Sequence, residues 1–166
     1  MSSLESEFEA LLFSNDLVAA NKALERWIAA ENPERALATF SRACLLEKMG
    51  RPETAIESLS TVIADEIPNY ELCLIHRASI YFATKRFREA AVDFQAILDD
   101  KSPMMVDGFH MSAQFCKTWC LAALGDPDFE MEALKVAPGY SEWRNGGPKT
   151  IVDIRKVYEE ALRIKH

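Results

Sequence analysis

Residues 74 to 103 read "LIHRASIYFATKRFREAAVDFQAILDDKSP". Two apolar helical patterns are separated by "TKRF", and the stretch ends at Pro103. The preceding block, residues 36 to 70, has the same plan in clearer form. Leu37, Phe40, Ala43, Cys44 and Leu46 follow three- and four-residue steps, "MGRPE" interrupts them, and Ala55, Ile56, Leu59, Val62 and Ile63 resume them. That spacing keeps apolar side chains on one face of a helix. Gly50 suits a left-handed helix C-cap, and Pro52 suits the first turn of the following helix, where its missing N–H costs nothing. Each block is therefore a helix, a tight turn and a second helix. No two-residue alternation is long enough to support a sheet, and the expected fold is all-α.

The two blocks belong to a longer period. Pro33, Pro68, Pro103 and Pro138 each follow the last by 35 residues. Ala20, Ala55, Ala90 and Gly125 keep the same step, as do Leu24, Leu59, Phe94 and Phe129, then Phe8, Ala43, Ala78 and Ala113, and finally Leu11, Leu46, Tyr81 and Cys116. Small residues recur where backbones come close, and large apolar residues recur beside them. A helical hairpin of about 35 residues cannot bury its apolar face alone, so such units are expected to stack.

The pattern resembles the tetratricopeptide repeat family. Ala78, Tyr81, Phe87, Ala90, Phe94 and Pro103 stand in the family's places in one unit, and Ala43, Leu46, Gly50, Ala55 and Leu59 in another. The resemblance implies a right-handed array of antiparallel helix pairs forming one domain over residues 1–166, with units of about 1–35, 36–70, 71–105 and 106–140. The ends diverge. Ala20, Leu24, Trp27 and Pro33 fit in the first unit, preceded by an acidic amphipathic helix, "SLESEFEALLFSND", closing at Ser14 and Asn15. In the fourth, "GFHMSAQFCKTWCLAALG" overruns the expected turn to Gly125, and the second helix, N-capped by Asp126 with Pro127 in its first turn, is short. Ile151, Ile154, Val157, Tyr158, Ala161 and Leu162 form one stripe of a C-terminal capping helix. The stretch between, "GYSEWRNGGPKT", reads as a connector: Gly146 and Gly147 allow a sharp bend, Pro148 opens the last helix or immediately precedes it, and Tyr140 and Trp143 pack over the array's end.

Composition limits function. The chain has 166 residues, 49% hydrophobic and 27% charged, which is ordinary for a globular domain. No apolar run is long enough to cross a membrane, and the acidic opening "MSSLESEFEALLF" lacks the cations of a secretion signal, so a cytoplasmic location is expected. A net charge of -7 argues against nucleic acid as partner. Residues 1 to 35 hold seven acids against three bases and residues 141 to 166 four against six, so the acidic front favours a basic partner. Cys44, Cys73, Cys116 and Cys120 sit in apolar helical patterns and read as reduced core thiols; Cys116 and Cys120 share a helix face and His76 follows Cys73 by three, but no metal spacing such as CxxC occurs.

Catalysis finds no constellation to carry it. His76 and His110 stand alone, acids gather at helix ends, where those at Asp126, Asp128 and Glu130 complement a helix dipole, and no Ser-His-Asp order, phosphate loop or HExxH is present. The glycines beside Lys149 and Thr150 do not match GxxxxGK[ST], and Pro148 removes a backbone donor. No enzyme, catalytic residue, metal or cofactor is expected.

The family resemblance instead implies partner recognition on the face formed by the first helix of each unit. Leu37, Phe40, Cys44 and Glu47, then Leu72, Ile75, Ser79 and Phe82, then Asp107, His110, Gln114 and Lys117 are the residues it places there. Family members that grip a C-terminal carboxylate use Lys, Asn and Arg, whereas Phe40, Cys44, His76, Asp107 and Met111 occupy those places. An apolar groove rimmed by charge takes an amphipathic helix or an extended peptide, unless the chain's own N-terminal helix or a second copy covers it. The expected function is a protein-interaction module, an adaptor or chaperone-like protein with a protein or peptide partner. The alternative is an acidic immunity or inhibitor protein that neutralises a basic toxin or enzyme. Homodimerisation through Trp119, Trp143 and Tyr140 is a further expectation.

Overall fold

Asn15, Gly50 and Lys85 all adopt left-handed backbone, with φ of 59°, 70° and 61°, at a spacing of 35 residues. Each closes a helix in the same way. The N–H groups of Asp16, Arg51 and Arg86 donate to the carbonyls of Leu11, Leu46 and Tyr81 at 3.1, 2.8 and 2.8 Å, while those of Asn15, Gly50 and Lys85 donate to Leu12, Glu47 and Phe82 at 3.1, 2.9 and 3.1 Å. These paired bonds satisfy carbonyls that a helix end otherwise leaves open, and the left-handed residue reverses the chain. The carbonyl acceptors Leu11, Leu46 and Tyr81 are themselves one of the recurring apolar positions.

The structure, a computed structural model, describes residues 3–30, 34–144 and 147–165. Its helices are α1 (Ser3–Phe13), α2 (Leu17–Ala29), α3 (Arg35–Lys48), α4 (Pro52–Ala64), α5 (Tyr70–Ala83), α6 (Phe87–Asp99), α7 (Pro103–Gly108), α8 (His110–Leu124), α9 (Phe129–Ala133) and α10 (Ile151–Lys165), with strands β1 (Ser141–Arg144) and β2 (Gly147–Thr150). The starts of α2, α4 and α6 fall 35 residues apart, as do those of α3 and α5. Asp16 caps α2 by accepting the Ala19 N–H at 3.0 Å, and Pro52 opens α4. Pro33 lies outside the described residues. The chain divides into two compact units, residues 1–77 and 78–166, with the division inside α5.

In residues 1–77, α2 packs against both α1 and α3, and α3 against α4. Ala20, Leu24, Trp27, Ala38 and Leu45 form a buried cluster, with Phe8, Leu11, Leu17, Ile28 and Met49 against it. Ala20 and Ala55 are fully buried at equivalent places of the period, where a larger side chain would hold helices apart. The polar contacts repeat too. Arg42 reaches back to Glu25 at 2.8 Å, and Arg77, 35 residues on, reaches back to Ser60, which is 35 after Glu25, at 2.9 Å. Arg42 also donates to Asn21 and Ser58, at 3.1 and 2.9 Å.

In residues 78–166, α8 is central, with α6, α9 and α10 packed on it. Phe82 meets Phe87, Phe94 and Trp119 edge-on at 5.8, 6.2 and 5.7 Å. The next turn in the period would fall at Cys120, which is buried inside α8; the helix continues to Gly125, whose φ of 56° ends it. Asp126 does not sit directly at the start of α9 as the sequence suggests. Its carboxylate takes the Asp128 N–H at 3.0 Å, and α9 begins at Phe129. From α10, Ile154 is fully buried and Tyr158 stacks on Phe129 at 4.4 Å between centroids.

The connector is where the sequence reading needs correction. Residues 141–144 and 147–150 form an antiparallel hairpin, with Trp143 opposite Pro148 and Arg144 opposite Gly147. Pro148 therefore does not open the last helix. Four residues per strand are too few for alternation to register, and a two-stranded ribbon is all edge, where proline needs no ladder partner. The sequence between the strands, Asn-Gly, is the dipeptide most favoured in two-residue hairpin links. Helix α10 starts instead from Thr150, whose N–H and hydroxyl both reach the Asp153 carboxylate at 3.0 Å, a variant of the capping box. Tyr140 does pack, 5.6 Å from the Phe115 ring, with its hydroxyl on Glu142; the Trp143 side chain lies outside what is described.

Candidate functional site

Within residues 1–77, α1 and α3 border an apolar groove of about 220 Å³ lined by Phe8, Leu12, Phe40, Ser41, Cys44, Leu45 and Lys48. The spacing explains it. Phe8 and Leu12 are one helical turn apart on α1, and Phe40, Cys44 and Lys48 continue the same four-residue step along α3. Leu45 is buried in the floor, while Leu12 on the rim is 37% exposed and Leu37, one turn before Phe40, is 40% exposed. Pockets that enclose a small molecule run to roughly 300–1,000 Å³, so this groove has room for anchoring side chains rather than for a whole ligand.

One wall is held by a polar cluster. The Phe40 ring meets the His76 ring edge-on, 5.1 Å between centroids. His76 Nε2 lies 2.9 Å from Glu47 Oε2 and 3.5 Å from Cys44 Sγ. Burial lowers the His76 pKa below its ordinary value, against the opposing pull of the Glu47 charge and hydrogen bond. The ring is thus neutral near pH 7, and the carboxylate acceptor places its proton on Nε2. Burial, reinforced by Glu47, raises the Cys44 pKa. Cys44 and Glu47 address the same ring nitrogen, and the thiol stays protonated; this is not the relay in which a base on one nitrogen activates a nucleophile at the other. Through the His76 ring the cluster contacts Phe40 in the groove wall.

The expected binding residues fall in both compact units. In residues 1–77, Phe40 and Cys44 line the groove, Leu37 and Glu47 stand on the same helix α3 with Glu47 paired to His76, and Leu72 and Ile75 are half-buried on the first turns of α5. In residues 78–166, Ser79 is half-buried, Asp107 is exposed, and Phe82 sits in its aromatic cluster. His110 Nε2 is 2.9 Å from the Asp100 carbonyl. Gln114 donates to Glu132 at 2.8 Å and the Lys117 ammonium lies 3.1 Å from it, so these polar ends are engaged internally. Burial works against the Glu132 charge, but hydrogen bonds from Gln114, Lys135 and Lys117 outweigh it and hold the carboxyl at about 2. Phe8 and Leu12 were missed from sequence because the first helix diverges from the repeat; their four-residue spacing was the available signal.

A second, wider depression of about 670 Å³ is lined by Glu7, Leu11, Ala19, Lys22, Glu25, Arg26 and Ala29. Its charges are largely matched, Glu7 with Arg26 and Glu25 with Arg42, and it offers Leu11 and alanines where an anchor would need depth. The cysteines are all free thiols, with Cys73 pushed up to about 12 by burial. Among the described residues, no group of three or more His, Cys, Asp or Glu side chains is placed to hold a metal ion, and no helix is long and apolar enough to cross a membrane. Compared with known protein families, curated proteins and solved structures, the chain matches none.

Proposed function

We propose that this chain is a helical-repeat module of the tetratricopeptide kind, and that it holds a segment of another protein in the groove between α1 and α3. The observation that carries this reading is the groove itself, lined from two helices by exposed Leu12 and half-buried Phe8, Phe40 and Cys44 on a mostly helical scaffold. The 35-residue recurrence of the turns at Asn15, Gly50 and Lys85, and of the Arg42–Glu25 and Arg77–Ser60 contacts, supports the repeat reading. The absence of an activated nucleophile at Cys44 and His76 favours binding over chemistry at this place.

A photo-crosslinking residue at Leu12 should capture a partner in the cells that make the protein, and one at Val92, exposed on α6, should not. Phe40→Glu, checked for folding by circular dichroism, should abolish the Leu12 crosslink. Equal capture from both positions, insensitive to Phe40→Glu, would remove the groove reading.

A second reading, an acidic inhibitor or immunity protein, draws on the charge of residues 1–77, which hold thirteen acids against seven bases, while residues 78–166 hold thirteen against twelve. Such a protein would bind a basic enzyme over a broad surface. Its association would survive Leu12→Glu, whereas a groove-bound segment would not.

A further inference from the structure

The occupant's chemistry can be taken further, resting on the groove reading above. On α1, Glu5, Phe8, Glu9 and Leu12 fall at i, i+3, i+4 and i+7, so two acids share the stripe that borders the groove. Glu9 is exposed and Glu5 half-buried. Among the described residues of the lining, Lys48, at the far end of α3, is the one cation. The surrounding unit strengthens the bias. Residues 1–77 hold thirteen acids against seven bases, an excess of six. An apolar trough with acids along one bank repels an acidic segment and attracts a basic one.

The backbone of the occupant is also constrained. An extended peptide needs partners for its N–H and C=O groups, usually a sheet edge, and the groove is walled by helices whose lining is apolar apart from Ser41, Cys44 and Lys48. A helical segment satisfies its own backbone and presents side chains at i and i+4 about 6 Å apart, the same step by which Phe8 and Leu12, or Phe40 and Cys44, are separated. We propose that the α1/α3 groove takes a basic amphipathic helix of a partner protein, apolar residues at i, i+3, i+4 and i+7 entering the groove and lysines or arginines along one flank facing Glu5 and Glu9.

The test is a selection. A display library of 18-residue helix-forming peptides, with apolar residues fixed at i, i+3, i+4 and i+7 and the flanking positions randomised among charged and neutral residues, is panned against the full chain and against Leu12→Glu. The selected pool should be rich in Lys and Arg on one flank. Its members should bind at least about tenfold more weakly at 500 than at 50 mM salt, and several-fold more weakly to Glu9→Lys. A selected pool that is neutral or acidic, with binding indifferent to salt, overturns the basic-helix inference while leaving the groove in place. No enrichment over the Leu12→Glu control overturns both.

Discussion

His76 Nε2 lies 2.9 Å from Glu47 Oε2, joining α5 to α3 behind the Phe40 ring. The imidazole is half-buried and its pKa is lowered, so the folded protein favours the neutral ring. A depressed folded pKa means that the unfolded chain binds the proton more readily. The full stability contribution is present above the unfolded value of about 6.5 and is lost as pH falls from there through the lower folded value. The melting temperature should drop from pH 7.5 to pH 5, and His76→Gln should flatten that part of the profile. Thermal melts of the two proteins across this range decide it; parallel profiles would contradict the assignment.

Glu132 gives a second pH signature, lower on the scale. Its carboxyl is held at about 2 by Gln114, Lys135 and Lys117 despite burial. The stability it contributes is complete above about 4.5, the ordinary glutamate range, and is lost as pH falls towards 2. Glu132→Gln keeps the shape but removes the charge, leaving Lys117 beside a neutral amide. Urea denaturation at pH 7 should show a loss of about 2–3 kcal/mol, with the difference narrowing in acid.

The alanines of the period test the packing. Ala20 and Ala55 are both fully buried in residues 1–77. Ala55→Leu should cost about 1–3 kcal/mol in urea unfolding, because a larger side chain at a fully buried position must displace its neighbours. A neutral or stabilising result would mean that the recurring small residues are not close-approach positions.

The three left-handed turns differ in residue but not in geometry. Gly50 has φ of 70° and nothing within 4 Å of where a Cβ would stand, so Gly50→Ala meets only backbone strain, about 1–2 kcal/mol. Lys85, at 61°, already bears that strain, and Lys85→Gly should relieve part of it, giving a gain of up to about 1 kcal/mol. Melting temperatures should move in opposite directions for the two variants.

The repeating element was legible because one local requirement recurs: a helix closed by a left-handed residue, then a fresh start. Gly50 with Pro52, and Asn15, announced that turn openly, while Lys85 does the same work with a residue that carries little signal. The hairpin at residues 141–150 was not read because its strands are too short to show a period, although Asn145 and Gly146 were there to be noticed. Leu37, Phe40, Cys44 and Glu47 came from the helical face that the family resemblance nominates. Phe8 and Leu12 did not, since Phe8 stands where Ala43, Ala78 and Ala113 mark the other first helices. The engagement of Gln114 and Lys117 with Glu132 depends on where a five-residue helix packs, which no spacing in the sequence encodes.

The most direct measurement is amide chemical-shift mapping of the folded chain titrated with the tightest peptide from the selection. Shifts should be largest at Phe8, Leu12, Phe40, Ser41, Cys44 and Lys48, extend to Glu9 and His76, and vanish in Leu12→Glu. Shifts concentrated in residues 78–166, or spread evenly along the chain, would contradict the assignment of the α1/α3 groove as the binding site.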